Sequence, residues 1–388
     1  MPFAAALSEH PVAAHAVGEV AGHVLDTIGA GLDLALVFVT RQHSGALDDA
    51  ARAVRDLLDA RVIVGAVTES IVGRSWEVEE TAGISVFAAR LAGGVAPLSL
   101  SATLDGVVGL PEDLGVEPSA VALFADPSSV AAGSLLEAVA TRWPGVPVFG
   151  GFASGGSAPG GSRLLVGDHI RRDGCVGVAF GAGVAIDVVL SQGCRPVGAP
   201  FVITAATGNR ITGLGGRPPL ERIDHLADTE LSEDDIAAVN SGGLRVGFVV
   251  DEHEPDHRPG DFVIRPVLGG NRATGWIAVE GEVDVGQTVQ LHVHSAASAD
   301  DDLRRVLAGR DASAALLFPT RNRGRRLFGE RHHDASVLDD EAAPAAVSGF
   351  FSAGTFAPVH GRSFVHGEAV SIALLSDANS DDARAGAG

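Results

Sequence analysis

A serine and a histidine near the C-terminus are the first residues whose types suggest chemistry. The segment SGFFSAGTFAPVHGRSFVHGEAVSIALL, from Ser348 to Leu375, contains Ser352 and His366, which could act as nucleophile and base in an amide- or acyl-processing enzyme. A hydrolase of that kind needs its serine at the centre of a G-x-S-x-G turn. The segments GFASG, around Ser154, and FFSAG, around Ser352, place the serine in a different register. We therefore predict no catalytic residue and interpret these serines as groups that hydrogen-bond within turns.

Arg265 interrupts an otherwise apolar strand, FVIRPVL. A guanidinium in such a strand must be paired, either with a structural carboxylate or with the carboxylate of a ligand. Both interpretations stay open at this point. Arg265 is the best single candidate for recognising an amino acid or an organic acid.

The 14 histidines form no specific metal pattern. His332 and His333 lie beside Asp334 on a polar segment, which is typical of solvated surface. His292 and His294 point to one face of a strand, which is better ligand geometry but still non-specific. A haem group would need one axial histidine in an apolar pocket, and no pattern selects one. We predict no metal and no cofactor, with haem as the alternative.

The elements that would position these residues recur three times. Each copy begins with an apolar strand, continues through a helical stretch and ends with a second strand that stops at a glycine. The phenylalanine and glycine that mark the three copies are Phe38 with Gly65, Phe124 with Gly150, and Phe318 with Gly349. Because one strand–helix–strand unit fits each interval, the sequence predicts repeated units of this kind.

A turn of small residues follows each of these glycines, in the segments 66–70, 151–155 and 350–354. We predict that Thr68, Ser154 and Ser352 are equivalent positions at three strand-to-loop corners, and that a ligand binds there. Small residues allow a sharp turn or a close approach to the backbone. The residues predicted to contact the ligand at these corners are Thr68, Glu69, Ser154, Ser352, Gly354, Thr355 and His366.

Composition excludes several classes of partner. Hydrophobic residues make up 46% of the 388 residues, which is an ordinary globular balance, and the net charge is −21 without a single lysine. Such a surface argues against non-specific binding to nucleic acid or to anionic lipid. There is no apolar run long enough to span a membrane and no signal peptide, and two cysteines make no disulfide framework. We predict a cytoplasmic location.

The predicted fold class is α/β, with two domains whose mixed β-sheets are flanked by helices. We place an N-terminal helix at 1–30, a first α/β domain at 31–223, a helical connector at 224–243, a second α/β domain at 244–375 and a disordered tail at 376–388. A hairpin is predicted within 262–279, turning at Gly269, Gly270 and Asn271. A further helix is predicted to be capped near Ser298.

The order of several segments resembles the FIST proteins, which carry paired N- and C-terminal FIST domains, and the resemblance covers nearly all of residues 25–375. The segments that carry it are VGAVTESIVGRSWEVEE (64–80), SQGCRPVGAPFVITAATGNRITGLGGRPPLE (191–221), DFVIRPVLG (261–269), VGQTVQLHVHSAASADDDLRRVL (285–307), NRGRRLFGERHHDA (322–335) and SGFFSAGTFAPVHGRSFVHG (348–367). The resemblance implies an intracellular sensory module that binds small ligands such as amino acids. Some bacterial members bind haem and report nitric oxide, and a eukaryotic relative joins the pair to an F-box.

Three positions depart from the family pattern. Thr355 stands where a glutamate is expected, Ser70 replaces a usual glycine, and His294 stands where many relatives carry arginine. Thr355 removes a charge from the site that the resemblance implies. The chain also shows no fused kinase, cyclase or F-box segment, so we expect the output to be provided by a protein partner in another chain.

Together these observations predict a non-enzymatic module that binds a small ligand and signals in trans, and they leave the oligomeric state undefined. A protein-interaction scaffold without a small ligand and a haem-based gas sensor are the alternatives. A ligand pocket should be concave and contain Arg265, whereas a scaffold should show a filled cleft and an exposed apolar patch.

Overall fold

The computed structural model describes residues 2–103, 106–156, 158–254 and 256–377. Most of the strands are short, and tight turns connect them. The strands are β1 (Phe3–Ser8), β2 (Leu32–Thr40), β3 (Ala60–Thr68), β4 (Ser70–Gly73), β5 (Trp76–Glu79), β6 (Ile84–Ala89), β7 (Val95–Thr103), β8 (Gly106–Val108), β9 (Pro118–Ala125), β10 (Val148–Phe152), β11 (Leu164–Val166), β12 (His169–Arg171), β13 (Cys175–Gly181), β14 (Val184–Ser191), β15 (Cys194–Thr207), β16 (Arg210–Leu214), β17 (Leu244–Val249), β18 (Phe262–Asn271), β19 (Trp276–Val279), β20 (Thr288–His294), β21 (Ala314–Pro319), β22 (Ala346–Phe350), β23 (Thr355–Val359), β24 (Arg362–His366) and β25 (Val370–Asp377).

Helices connect the strands of the parallel pairs and cover sheet faces. The α-helices are α1 (Ala13–Ile28), α2 (Leu47–Leu58), α3 (Ala132–Arg142), α4 (Pro219–Thr229), α5 (Glu233–Ala238), α6 (Ala296–Leu307), α7 (Arg325–Phe328) and α8 (His333–Ala342). A 3₁₀ turn at Arg41–Ala46 precedes α2, and a π-type turn at Val239–Gly243 follows α5. The α/β class with mixed sheets is therefore confirmed.

Backbone contacts divide the chain into two compact units. The first unit combines the residues up to Leu190 with those from Val306 onward, and the second unit is Ser191–Arg305. The sequence predicts two contiguous domains that are joined by a connector at 224–243. The structure instead divides the chain at 190/191 and 305/306, so that the second unit is an insertion in the first. The predicted tail at 376–388 lies outside the described residues from 378 onward.

Three mixed sheets make up the first unit. We name them by their order along the chain. Sheet I has the strand order β1-β6-β2-β3-β11-β12, sheet II has β24-β23-β10-β9-β13-β7-β8, and sheet III has β14-β25-β21-β22-β4-β5. The N-terminal strand β1 pairs antiparallel with β6 at the edge of sheet I, and it was not anticipated in the sequence analysis.

Each sheet contains one parallel pair whose strands are joined through a helical crossover. These pairs are β2–β3, β9–β10 and β21–β22. A parallel connection needs a long crossover, which the intervening helix provides. Because parallel strands are covered on both faces, segments such as LALVFVT read as continuous apolar runs.

Hairpins are exchanged among the three sheets. The strand β4 follows β3 of sheet I but pairs with β22 of sheet III. In the same way β11 follows β10 of sheet II but pairs with β3, and β23 follows β22 of sheet III but pairs with β10. Each sheet is thus completed by a hairpin that arrives from another sheet.

Phenylalanines from the three sheets meet in the shared core. The ring centroids of Phe38 and Phe124 lie 5.2 Å apart, and those of Phe124 and Phe318 lie 5.8 Å apart. Phe350 contacts all three of these rings at 5.0–5.5 Å. Tilted and edge-to-face pairs of this kind add favourable quadrupole contacts to the burial of apolar area. On the outer face of sheet I, α1 and α2 bury a second apolar cluster.

The three marker glycines sit where their strands approach the preceding strand most closely. A Cβ atom added at Gly65 would lie 2.0 Å from the carbonyl oxygen of Val37, and one at Gly349 would lie 1.8 Å from that of Leu317. At Gly150 the corresponding distance, to the carbonyl oxygen of Leu123, is 2.3 Å. Only glycine fits at these positions because no side chain can share the space of a paired backbone.

The second unit is a closed barrel in the order β15-β16-β19-β18-β17-β20. The hairpin of β18 and β19 turns at residues 272–275 rather than at the predicted glycines, because the Asn271 carbonyl accepts the Gly275 N–H at 2.7 Å. The cap of α6 is Ser295, whose Oγ accepts the Ser298 N–H at 3.1 Å, while Ser298 Oγ accepts the Ser295 N–H at 2.8 Å. This reciprocal pair places the cap three residues before the predicted one.

Replacing Gly349 by alanine is expected to lower the free energy of unfolding by about 3 kcal/mol or more, since the new methyl group must displace a paired backbone strand. Chemical denaturation followed by circular dichroism measures the change. The matched control is Gly18→Ala: Gly18 is exposed in α1 with no atom near an added Cβ, so alanine should stabilise the helix by about 0.5–1 kcal/mol. Equal effects of the two substitutions would contradict the close-approach explanation.

Candidate functional site

The carboxyl ends of the three parallel pairs form equivalent strand ends. The first strands of the pairs end at equivalent residues: Thr40 is the last residue of β2, and Asp126 and Thr320 directly follow β9 and β21. Their backbone N–H groups donate to the carbonyls that precede β6, β13 and β25, at 3.0, 2.8 and 2.9 Å. Ligands of open α/β sheets bind at such carboxyl ends, which directs attention to this region. We call the three turns that follow the second strands the first (68–70), second (153–155) and third (352–354) corners.

Ser154 connects the three corners through its hydroxyl group. The N–H of Glu69 donates to Ser154 Oγ at 2.9 Å, and Ser154 Oγ donates to the carbonyl of Phe351. The N–H of Phe351 in turn donates to the carbonyl of Ser70 at 3.0 Å. Since Ser154 is buried and its hydroxyl both accepts and donates, its position is that of a structural link.

The strand register corrects one predicted equivalence. Thr40 is opposite Thr68, and Thr320 forms an isolated bridge with Ser352. In the second pair the N–H of Ala153 donates to the Ala125 carbonyl, the bond that the Ser352 N–H makes to Pro319 in the third. Ala153 is therefore the equivalent of Thr68 and Ser352, and the prediction that named Ser154 was wrong by one residue.

Four of the predicted ligand-binding residues lie together at the third corner. A Cβ atom at Gly151 of β10 would lie 2.5 Å from the Gly354 carbonyl oxygen and 2.9 Å from Ser352 Cβ. Thr355 pairs with Gly151 on one side and with His366 on the other. Ser352, Gly354, Thr355 and His366 are thus neighbours around one glycine.

Thr355, which stands where the family pattern expects a glutamate, is fully buried. Its Oγ1 donates to the carbonyl of Gly150 at 2.8 Å. The hydroxyl satisfies a backbone acceptor of β10, so this position holds a neutral internal hydrogen bond instead of a charge.

Two adjacent hydroxyls are buried without a hydrogen-bond partner among the described residues: Ser352 Oγ and Thr320 Oγ1. They belong to the two residues of one β-bridge. His366 Nδ1 is likewise buried without a partner there, while Nε2 lies 3.3 Å from the Ala357 carbonyl. Burial lowers the pKa of His366 to about 4, so its ring is neutral near pH 7. Because buried polar groups are nearly always paired, these atoms require an explanation.

Ser352 and His366 do not form the nucleophile–base pair that an acyl-processing enzyme would need. Ser352 Oγ accepts or donates no hydrogen bond in the described part of the chain, and His366 is directed through Nε2 to a backbone carbonyl. A general base must lie within hydrogen-bond reach of the proton that it abstracts. The geometry therefore gives no support to the acyl-processing alternative.

Arg41 brings a guanidinium to the corners, and sequence reasoning missed it. Its Nε donates to the Gly155 carbonyl at 2.9 Å, its Nη2 donates to the Ser154 carbonyl at 2.7 Å, and Glu69 Oε2 lies 3.8 Å away. The Arg41 side chain remains 42% exposed. The signal available in the sequence was its place directly after β2, at the carboxyl end of a predicted strand.

Asp126 contributes a buried carboxylate near the second corner. Ser162 Oγ donates to Asp126 Oδ1 at 2.6 Å, and Ser128 Oγ donates to Oδ2 at 2.7 Å. Burial alone would raise the pKa of this carboxyl group, but the hydrogen bonds from Ser162, Ser129 and Ser128 outweigh it and hold the pKa below its usual range. The negative charge is therefore kept and internally compensated.

Arg265 lies in the second unit, on β18, and contacts none of the corner residues by any described bond. Its Nη1 donates to the carbonyls of Glu282 at 2.8 Å and Glu280 at 3.4 Å, and its guanidinium carbon lies 4.2 Å from the ring centroid of Phe248. The predicted need for a carboxylate partner is met instead by backbone carbonyls and an aromatic face.

A separate cluster buries two carboxyl groups at the start of α8. Asp334 accepts two hydrogen bonds from the Arg323 guanidinium, at 2.6 and 2.8 Å. Glu77 of β5 accepts the Ala335 N–H at 3.0 Å through Oε1, and its own N–H donates to His332 Nδ1 at 2.8 Å. Burial, followed by the Asp334 charge, raises the pKa of Glu77 from 4.5 to about 8. This segment covers the edge of β5 and leaves Glu77 protonated near neutral pH.

Within the described ranges, no group of three His, Cys, Asp or Glu side chains is arranged to hold a metal ion. Over the same ranges, no helix combines the length and the apolar character needed to cross a membrane.

Comparison with known proteins gives two family matches in tandem. The FIST N domain matches residues 33–217, and the FIST C domain matches residues 220–358. An uncharacterized protein of Mycobacterium bovis is 38% identical over 378 residues, covering 95% of this chain and 97% of its own. An uncharacterized protein of Mycobacterium tuberculosis is 36% identical over 392 residues, covering 97% of this chain and 100% of its own. FIST domains are sensory domains of signal transduction.

Replacing Ser154 by alanine is expected to lower the free energy of unfolding by about 1–3 kcal/mol, because the Glu69 N–H and the Phe351 carbonyl would lose their buried partner. The matched control is Ser352→Ala, which removes an equally buried hydroxyl that makes no hydrogen bond to a described residue and should be neutral or slightly stabilising. Urea denaturation of both variants measures the difference. A larger loss for Ser352→Ala would contradict the assigned roles.

Between about pH 6.5 and about 8 the free energy of unfolding should fall as pH rises, by roughly 1 kcal/mol per pH unit, because folded Glu77 holds a proton that the unfolded chain releases. Below that window the depressed pKa values of the buried His292, His366 and Asp334 act with the opposite sign. Glu77→Gln should flatten this part of the curve. Glu112→Gln, on the exposed surface, controls for the change in net charge. An unchanged slope in Glu77→Gln would contradict the assignment.

Proposed function

Since the chain belongs to the FIST family, we propose that it is a non-enzymatic sensory module that binds a small polar ligand at the corners of the first unit and signals through a partner in trans. The proposed ligand class is amino acids or small carboxylates. The corners gather residues from the carboxyl ends of three parallel strand pairs, where ligands of α/β folds bind.

The observation that carries this proposal is the pair of unpartnered hydroxyls, Ser352 Oγ and Thr320 Oγ1. Each hydroxyl can donate one hydrogen bond and accept others. Leaving both unpaired costs about 1–3 kcal/mol for each group, and a ligand with acceptor oxygens would recover that cost. The buried imidazole of His366 lies on the strand that flanks this corner and adds a neutral polar atom.

Arg41 is the cation that this proposal assigns to a ligand carboxylate. It is partly exposed, and its described hydrogen bonds run from Nε and Nη2 to backbone carbonyls. The carboxylate of Glu69, at 3.8 Å, lies too far away for a close ion pair. A guanidinium has five donors in a planar fork, so further donors can meet a carboxylate. Glu69, 3.8 Å from Arg41, would in turn suit the ammonium group of an amino acid.

The test is a thermal-shift screen of the purified protein against the proteinogenic amino acids, small carboxylates and haemin, with an absorption spectrum of the protein as isolated. A ligand that binds only the folded state stabilises it by about 2.7 kcal/mol at a hundredfold excess over its Kd. We expect a shift with a member of the first two groups. That shift should be reduced in Ser352→Ala, Thr320→Val and Arg41→Gln, and retained in Arg265→Gln.

Arg265→Gln is the matched control because it removes a guanidinium that is likewise bound to backbone carbonyls, in the other unit. A shift lost in Arg265→Gln but kept in Ser352→Ala would place the ligand in the barrel and contradict the corner site. A Soret band in the isolated protein would favour the haem alternative. No shift with any compound, together with no Soret band, would favour a protein-interaction scaffold.

A further inference from the structure

A groove in the first unit, outside the corners, combines an apolar floor with a basic rim. It lies where β3 and β11 of sheet I approach β7 of sheet II, and we call it the β3–β7 groove. Its volume is about 430 Å³, within the range of ~300–1,000 Å³ of small-molecule sites. The apolar side chains of its floor are Val62, Pro97 and Val166. Ile63 also borders the groove, but its side chain packs in the apolar cluster under α1 and α2, on the opposite face of sheet I.

Three basic side chains border the β3–β7 groove: Arg61, His169 and Arg171. The Arg171 guanidinium donates to Ser99 Oγ at 2.8 Å and to Ser101 Oγ at 2.7 Å, so it is held in one orientation across the two sheets. Arg61 is 60% exposed, and its one ion pair, with Asp33, is long at 3.4 Å. A rigid cation at one side and an adaptable cation at the other therefore face the same apolar floor.

The charge of the β3–β7 groove is opposite to that of the chain. The whole sequence carries a net charge of −21, yet none of the described residues that line the groove is Asp or Glu. Asp33 and Asp173 contact Arg61 and Arg171 from outside the lining. Within the lining, an occupant meets basic side chains and no carboxylate. Charge complementarity therefore selects an anionic occupant.

We propose that the β3–β7 groove binds a small amphipathic monoanion, in which a short hydrocarbon or aromatic body lies on the apolar floor and a carboxylate pairs with the exposed Arg61. Burial of the body contributes about 0.8 kcal/mol for each methylene group removed from water. The carboxylate adds charge-assisted hydrogen bonds and orients the ligand. This second site goes beyond the proposed function and does not depend on it.

The test is a methyl-NMR titration of the full-length protein with hexanoate, acetate and 1-hexanol. Hexanoate carries both features of the proposed ligand, acetate carries only the charge, and 1-hexanol carries only the chain. We expect hexanoate to shift the methyl signals of Val62 and Val166 saturably, with at least about tenfold tighter binding than either comparison compound.

Arg61→Gln should weaken hexanoate binding about threefold to tenfold and leave 1-hexanol binding unchanged. Arg52→Gln is the matched control, because Arg52 is 65% exposed, forms one ion pair and lies on α2 away from the groove lining. Ser352→Ala should bind hexanoate like the wild type, which separates this site from the corners.

The proposal is overturned if hexanoate gives no saturable shift of the Val62 and Val166 methyl signals. It is also overturned if 1-hexanol binds as tightly as hexanoate, or if Arg61→Gln and Arg52→Gln behave alike. Circular dichroism and the Tm of each variant establish that it is folded, so that a loss of binding is assigned to the rim charge.

Discussion

Contact among Phe38, Phe124 and Phe318 is the constraint on which the first unit depends. Each ring comes from a different sheet, at the first strand of its parallel pair, and each touches the other two within 5.2–6.2 Å. These rings can meet only if β2, β9 and β21 place the three phenylalanines at the same level of the shared core. In each parallel pair the second strand lies so close to the first that a side chain would overlap a backbone carbonyl, and the marker glycine of the second strand allows this close approach. The common height of the three strand ends, and hence the meeting of the corners, follows from this packing.

The corners combine internal pairing with unsatisfied groups. Ser154, Thr355 and Asp126 use their polar atoms to hold the turns together, whereas Ser352 and Thr320 leave theirs unused. A site that is stabilised by the first set can keep the second set in position without a ligand. Both unused hydroxyls are buried, so the proposed ligand would reach them only when the corner opens. The internal hydrogen bond of Thr355 explains why a threonine at this position does not dismantle the corner.

Three features could be predicted from the sequence. They are the α/β class, the three strand–helix–strand units, and the neighbourhood of seven of the eight predicted ligand-binding residues. Long apolar runs and unusually placed glycines are local signals, so they can be recognised in a single sequence. Other features depend on contacts between distant segments. The register that separates Ala153 from Ser154 is decided by backbone pairing, which composition does not encode. The partners of Arg265 could not be predicted, because backbone carbonyls and the ring of Phe248 can accept a guanidinium as well as a carboxylate can. The strand β1 was missed because FAAALS is short and rich in alanine, a weak strand former.

The exchanged hairpins have a consequence for how the chain can reach this fold. Strands β22 and β23, which complete the edges next to β4 and β10, are encoded after the inserted barrel. During synthesis the strands of sheet I all precede the barrel, whereas sheet II waits for β23 and β24 and the β4–β5 hairpin waits for β22, each for more than a hundred residues. Such distant pairings slow folding, because sheets II and III are complete only after the last strands of the chain have emerged. The stretch 33–217 that matches the FIST N domain therefore does not coincide with a compact unit of this structure.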